Sequence, residues 1–213
     1  MARIGLTLET LLWRAAALFL LSPAASWITG KVLGLIGAGN IGSIVADRAQ
    51  GLKMRVIAYD PFPPAAFAAQ HGIPLVSLEQ LITDSDFISL HLPASAQTRH
   101  MINDDSIARM KQGVVIINTA RGPLIDEAAL IRGLQSGKVR GAGLDVFETE
   151  PLPLSSPLIG MSNVMLAGHV AGLDNESHDA TWALAADIIL RLQRGEWPAE
   201  CIQNLKGTTS WSW

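Results

Sequence analysis

Cysteine, charge and low-complexity sequence are what this chain has least of. One cysteine, Cys201, occurs in 213 residues. A single thiol excludes an internal disulfide framework and points to a reducing, cytoplasmic setting. Cys201 itself reads as a small buried hydrophobe rather than a nucleophile. Charged residues make up only 16% of the chain, and the formal net charge is −3. There is no block of lysine and arginine, so the electrostatic footprint of a nucleic-acid partner is missing. No repeat with a period of about 20–50 residues occurs, which excludes a solenoid. Low-complexity tracts are absent as well. The apolar stretch at 15–21 is too short to span a bilayer, so no membrane partner is expected.

What is present is apolar. Hydrophobic residues make up 49%, enough for a real core. The length suggests one domain and part of another. The first 27 residues can be read as a secretory leader, with Arg3 in its basic region and small residues near 22–26. Glu9 and Arg14 count against that. A linker helix over 7–21, stopped by Pro23, fits the pattern better.

The chain is organised around residues 31–60, KVLGLIGAGNIGSIVADRAQGLKMRVIAYD. A short apolar run at 32–36 reads as a buried strand. Gly37-Ala38-Gly39-Asn40-Ile41-Gly42 follows at once, then a helix over 43–50 and a second strand over 54–59 that ends in Asp60. Gly37 makes the tight turn, Gly39 lets backbone approach a pyrophosphate, and Gly42 lets the helix pack on the strand. The helix N-terminus offers N–H groups and a positive dipole end to phosphates. Asp60, about 20 residues on, is placed to accept from a ribose hydroxyl. With no arginine beside it, that acid favours NAD over NADP, because a 2′-phosphate would be repelled.

Further on, the pattern alternates. Helices are expected over 65–70, 78–82, 104–111, 126–136 and 176–194, and strands over 86–91, 114–118, within 139–146, and over 163–166. His71 reads as a solvent-facing residue at a helix end. Alternation with crossover-length connections predicts an α/β fold: a doubly wound, mostly parallel Rossmann sheet with helices on both faces. Residues 1–30 read as a linker, 31–172 as the dinucleotide-binding domain, and 173–213 as a C-terminal helix and tail.

Four side chains fall just beyond strand ends, where open α/β sheets bind ligands: Arg121, Asp145, Glu150 and His169. Histidine titrates near neutrality and is the usual acid/base. A carboxylate on its far nitrogen would fix the tautomer and favour the protonated ring. Arginine suits a bidentate grip on a carboxylate. Each residue alone has an ordinary structural explanation; it is their joint position that points to chemistry.

Five segments together resemble the D-isomer-specific 2-hydroxyacid dehydrogenases, which include phosphoglycerate, glycerate and hydroxypyruvate enzymes. They are GAGNIG with Asp60, HLPASAQT at 91–98, NTARG at 118–122, GLDVFETEP at 143–151 and NVMLAGHVAG at 163–172. The resemblance implies that Arg121 binds the substrate carboxylate and polarises its 2-oxo group. It implies that His169 passes the proton and that Glu150 holds and tunes His169. Asp145 would contact the nicotinamide carboxamide, and Asn40 and Ile41 would present N–H groups to the pyrophosphate. Pro93, Thr98, Thr119 and Ala120 would line the cofactor cleft, with Gly172 near the nicotinamide. The implied reaction is hydride transfer between NADH and a small 2-oxo acid, and the implied assembly is a homodimer.

Two features depart from the family. Gly168 stands where proline usually precedes the histidine, and Asp174-Asn175 stand where a threonine is common. Only about 30 residues precede the glycine-rich turn, too few for a domain. The expectation is therefore a chain lacking most of the substrate-binding domain. That leaves two readings open: a dehydrogenase, or a non-catalytic NAD-binding module.

Overall fold

The computed structural model describes residues 27–65 and 67–201. The helix expected over 7–21 lies outside the described residues, as do Trp211 and Trp213. The chain divides into two compact units, one ending at His169 and the other starting at Val170.

The first unit is built on six short apolar segments: β1 (Val32–Ile36), β2 (Arg55–Tyr59), β3 (Phe87–Leu90), β4 (Val114–Asn118), β5 (Val139–Leu144) and β6 (Val164–Leu166). They form one sheet in the order β2-β1-β3-β4-β5-β6, and every pair is parallel. The sheet expected to be mostly parallel is wholly so. The strand order reverses between β1 and β3, which makes that gap the switch point of the sheet. A parallel bridge between Ala58 and Leu75 adds a short element outside β2.

Helices α1 (Asn40–Gly51), α2 (Phe67–His71), α3 (Leu78–Asp84), α4 (Asp104–Arg109) and α5 (Glu127–Gln135) belong to this unit. Successive strand residues point to opposite faces. Leu33, Leu35, Val56, Ala58 and Val115 therefore pack with Ala46 and Ala49 of α1 and Phe67 of α2. Ile36, Ile88, Leu90 and Ile116 pack on the other side with Leu81 of α3, Ile107 of α4 and Leu130 of α5. Burial on both faces is why the strands read as near-continuous apolar runs. Each fully buried Leu, Ile or Phe contributes roughly 1.5–3 kcal/mol from its transfer out of water.

Capping residues fix the helix starts. Ser77, Asn103 and Asp126 each accept a backbone N–H in the first turn of α3, α4 and α5. The second unit contains α6 (Asn175–Gln193), capped by Asp174, which accepts the Ser177 N–H at 2.7 Å. Among the described residues, no helix is long and apolar enough to cross a membrane.

Three local expectations change. Helix α1 begins at Asn40 rather than 43, because Gly39 takes the extended N-cap conformation and its carbonyl accepts the Ser43 N–H at 2.9 Å. His71 does not face solvent. Its side chain is 17% exposed, its Nδ1 lies 2.7 Å from Asp47 Oδ1, and its ring leans on Phe67. Cys201 is a free thiol, half-buried rather than buried.

At the edge of the sheet away from the loops of interest, Asp86 ties β1 to β3. Its Oδ2 accepts the Val32 N–H at 2.8 Å, and Lys111 Nζ lies 3.3 Å from Oδ1. Burial alone would raise this carboxyl, but the Val32 N–H and Lys111 outweigh it and hold it below its usual range. A folded pKa below the unfolded value of about 3.9 gives stability that is present above that pH and lost as pH falls through the folded value. Asp86→Ala is expected to cost about 1–3 kcal/mol at neutral pH. Urea unfolding should show that deficit shrinking below about pH 4. A deficit that does not change with pH would mean that charge has no part in it.

Candidate active site

The turn after β1 is made of close approaches. Gly37 has φ +114°, and a Cβ there would lie 2.7 Å from the carbonyl carbon of His91. A Cβ on Gly42 would lie 2.1 Å from the Gly37 oxygen. Only glycine fits either position. Gly39 is different, since a Cβ there would meet nothing within 4 Å among the described residues. The turn is tight beneath and open above.

Gly39 is also the N-cap of α1, and no side chain caps this helix, unlike α3, α4 and α5. The first amides of the helix, Asn40, Ile41 and Gly42, have no intrahelical acceptor by geometry. An uncapped N-terminus opening on a bare glycine is a receptor for an anionic group such as a pyrophosphate. At the end of β2, Asp60 Oδ2 accepts the Ala38 N–H at 2.8 Å and Oδ1 accepts the Phe62 N–H at 2.8 Å. Each oxygen keeps a second lone pair, so the carboxylate can still accept from ribose hydroxyls. The arrangement fits a dinucleotide on both counts.

Across the switch point runs the loop after β3. Pro93 is exposed there. Thr98 is buried, and its hydroxyl is used inside the loop: it donates to the Pro93 carbonyl at 2.8 Å and accepts the Ser95 N–H at 2.8 Å. Thr98 thus braces the loop that carries Pro93. Behind the glycine turn, burial pushes the His91 imidazole down to about 4, and its Nε2 lies 3.0 Å from Ser89 Oγ. At neutral pH this ring is uncharged and adds no cation to the phosphate-binding edge.

The second half of the site sits at the ends of β4, β5 and β6. Asn118, buried at the end of β4, accepts the Ala120 N–H at 3.0 Å and donates to the Arg121 carbonyl at 2.9 Å. That side-chain turn shapes the Thr119-Ala120-Arg121 loop. Thr119 is exposed, Ala120 half-buried, and Arg121 exposed, with its Nη1 donating to the Ala120 carbonyl at 2.5 Å. Asp145 is buried at the end of β5. Its N–H donates to the Asn118 carbonyl at 3.0 Å, and its own carbonyl accepts the His169 N–H at 2.8 Å.

His169 follows β6 with φ 59°, a left-handed conformation that costs a non-glycine residue on the order of 1 kcal/mol or more. Two contacts hold it there. One is the backbone bond to Asp145. The other is Nδ1, 2.9 Å from Glu150 Oε2. Glu150 Oε1 in turn accepts the Phe147 N–H at 3.0 Å. The His169 contact first, then the Phe147 N–H, hold the Glu150 carboxyl below its usual range, and the nearby Arg121 charge adds to them. With Nδ1 engaged, Nε2 is the ring nitrogen left for a substrate. A cavity of about 540 Å³ opens here, lined by Phe147, Glu150, Leu152, Leu166, Ala167 and His169 among others.

The structure therefore brings Arg121, Glu150 and His169 together, with the Asp145 backbone bonded to His169. Gly37, Gly39, Asn40, Ile41, Gly42 and Asp60 lie together at the carboxyl ends of β1 and β2, on the same edge of the sheet. Gly172 falls in the second unit. A Cβ on Gly168 would meet nothing within 4 Å among the described residues, so packing does not demand glycine before His169. Asn118 escaped the sequence reading as a site residue. The available signal was an asparagine ending an apolar strand, placed to make a side-chain turn.

Burying His91 in the neutral form has a pH signature. Its folded pKa of about 4 lies below the ordinary value of about 6.5 in an unfolded chain. The stability it permits is full above about pH 6.5 and is lost as pH falls toward about 4. His91→Gln should flatten the pH dependence of urea unfolding across that window. An unchanged slope would show that the ring takes up its proton at the same pH in the folded and the unfolded chain.

Residues 16–171 match the model of a family described as D-isomer specific 2-hydroxyacid dehydrogenase, NAD binding domain. The chain is similar to a glyoxylate reductase of Korarchaeum cryptofilum, at 40% identity over 175 residues, covering 82% of this chain and 53% of that protein. It is similar to a D-3-phosphoglycerate dehydrogenase of Methanocaldococcus jannaschii, at 44% over 168 residues, covering 78% and 32%. Among solved structures it resembles the NAD-complexed D-isomer specific 2-hydroxyacid dehydrogenase of Lactobacillus delbrueckii ssp. bulgaricus. There the TM-score is 0.74 at 30% identity, covering 82% of this chain and 56% of that one. The chain thus spans about a third to a half of the length of these relatives. A glycine turn built for a dinucleotide, a carboxylate-held histidine and a family match over most of the length agree, and this chain belongs to the D-isomer specific 2-hydroxyacid dehydrogenase family, whose NAD-binding domain it carries.

Proposed function

We propose that this chain interconverts a small 2-oxo acid and the D-2-hydroxy acid with NAD as cofactor. The observation that carries the reading is the Glu150–His169 pair at 2.9 Å, with the Arg121 charge beside it and the glycine turn on the same edge of the sheet. NADH, when bound, supplies the hydride. The protein's own residues do the rest. Arg121 grips the substrate carboxylate and stabilises the negative charge growing on the carbonyl oxygen. His169 gives a proton to that oxygen from Nε2 in reduction and takes it back in oxidation. Glu150 fixes the ring so that Nε2 meets the substrate. Asp145 bonds the His169 backbone, and the resemblance puts it against the nicotinamide carboxamide. Glyoxylate, hydroxypyruvate and phosphohydroxypyruvate are the substrates to try first, since glyoxylate reductase and D-3-phosphoglycerate dehydrogenase are among the relatives.

A second reading, a non-catalytic NAD-binding module, is favoured by one observation. The His169 side chain is 53% exposed and that of Glu150 38%. Water reaching the pair would weaken every charge contact in it. The family resemblance also supports a homodimer, and the single thiol supports a cytoplasmic location.

Absorbance assays of NADH consumption test the choice. His169→Ala and Arg121→Ala should each lower turnover by about 10²–10⁴-fold while NADH affinity stays within about twofold. Parallel loss of NADH binding would remove these residues from the chemistry. A wild-type chain that binds NADH and consumes none with any 2-oxo acid would leave the binding-module reading.

A further inference from the structure

Glu148 has no part in the chemistry above, yet both of its oxygens are engaged. Its Oε1 lies 2.5 Å from His100 Nε2, with Arg99 Nη2 at 3.6 Å. Its Oε2 accepts the N–H of Glu127, the first residue of α5, at 3.0 Å. One carboxylate thus joins the segment before α4, the start of α5 and the loop after β5. Its partners are themselves held. His100 has φ 51°, its N–H donates to the Pro123 carbonyl at 2.8 Å, and its carbonyl accepts from Asn103 Nδ2 at 2.9 Å.

The same loop is pressed from the other side. A Cβ on Gly122 would lie 1.8 Å from the Phe147 oxygen and 2.6 Å from the Glu148 nitrogen. Gly122 follows Arg121 directly, so the backbone of the anion-gripping segment rests on the loop that carries Glu150. Phe147, between these two contacts, donates the N–H that orients Glu150.

We propose that Glu148 is a positioning residue for the acid/base pair. Its clamp on His100 and the Glu127 amide holds Phe147 and Glu150 so that Glu150 meets His169, while Gly122 sets how closely the Arg121 segment approaches. A carboxylate suits the position because the groups its two oxygens meet are donors, the His100 ring, the Arg99 guanidinium and the Glu127 N–H, while the Glu127 carboxyl is a like charge nearby. An acceptor-only group answers all of these donors, whereas an amide would turn its own donors on one side. Glu127 bears a cost: burial raises its carboxyl, the Glu148 backbone N–H pulls the other way, and the Glu148 charge adds to the rise. The proposal rests on the catalytic reading of Glu150 and His169.

The test is a carbon-detected NMR titration of the Glu150 carboxyl in the full chain, which needs no turnover. In the wild type, with the His169 contact and the Phe147 N–H on it, its midpoint is expected below the ordinary glutamate range. Glu148→Gln should move it up toward that range, and so should His100→Ala and Gly122→Ala. Glu79→Gln, at an exposed position on α3, should leave it in place. If Glu148→Gln does not fold, His100→Ala alone decides. Unmoved Glu150 midpoints in folded Glu148→Gln or His100→Ala protein would overturn the proposal. Where the wild type turns over, Glu148→Gln should lower kcat by up to about 100-fold with NADH affinity unchanged. A chain without turnover contradicts the catalytic reading in the activity assay, while the titration still reads the clamp.

Discussion

Parallel strands cannot be joined by tight hairpins, so each crossover returns the chain to the same side before the next strand begins. In this protein that constraint is complete. All six strands run one way, and their carboxyl ends share one edge. The hydrophobic effect holds the arrangement, with α1 and α2 covering one face and α3, α4 and α5 the other. Residues as far apart in sequence as Gly37, Asp60, Arg121 and His169 then fall on one edge of the sheet. The reversal between β1 and β3 leaves the crevice into which the glycine turn opens.

Within that edge, backbone does most of the positioning. The glycine turn sits against the His91 carbonyl, and the Arg121 segment sits against the Phe147 carbonyl, each through a position where no Cβ fits. His169 is held by the hydrogen bond its backbone N–H donates to the Asp145 carbonyl as much as by its ring. Charges are then few and assigned. Asp60 is an acceptor with room left, Glu150 is kept ionised by its partners, and His91 is kept neutral by burial. The glycine turn is closely packed beneath, and the Glu150–His169 pair is open to water.

The strands and the glycine turn were legible because their signals are local. Short β-branched runs bounded by glycine or polar residues can hardly be anything but buried strands in a chain with this alternation. Arg121, Glu150 and His169 were legible as candidates from their places after strands, and more fully from the family resemblance. What escaped depends on distant partners or on space. His71 turns inward to Asp47, 24 positions earlier in the chain. The start of α1 moved because glycine, a poor helix former, serves well at the N-cap. Asn118 works through hydrogen bonds visible only once the loop is folded. Glu148 carries no sequence signal of its own, because its partners His100 and the Glu127 N–H come together only in the fold.

The proposed NAD-binding edge is Gly37 to Gly42 with Asp60. A fluorescence titration of the folded chain with NADH and, in parallel, NADPH, repeated with Asp60→Ala, tests it most directly. Saturable NADH binding is expected, with NADPH weaker by about tenfold or more and that preference lost in the variant. No NADH binding by a folded sample, or equal affinity for both nucleotides in the wild type, would contradict it.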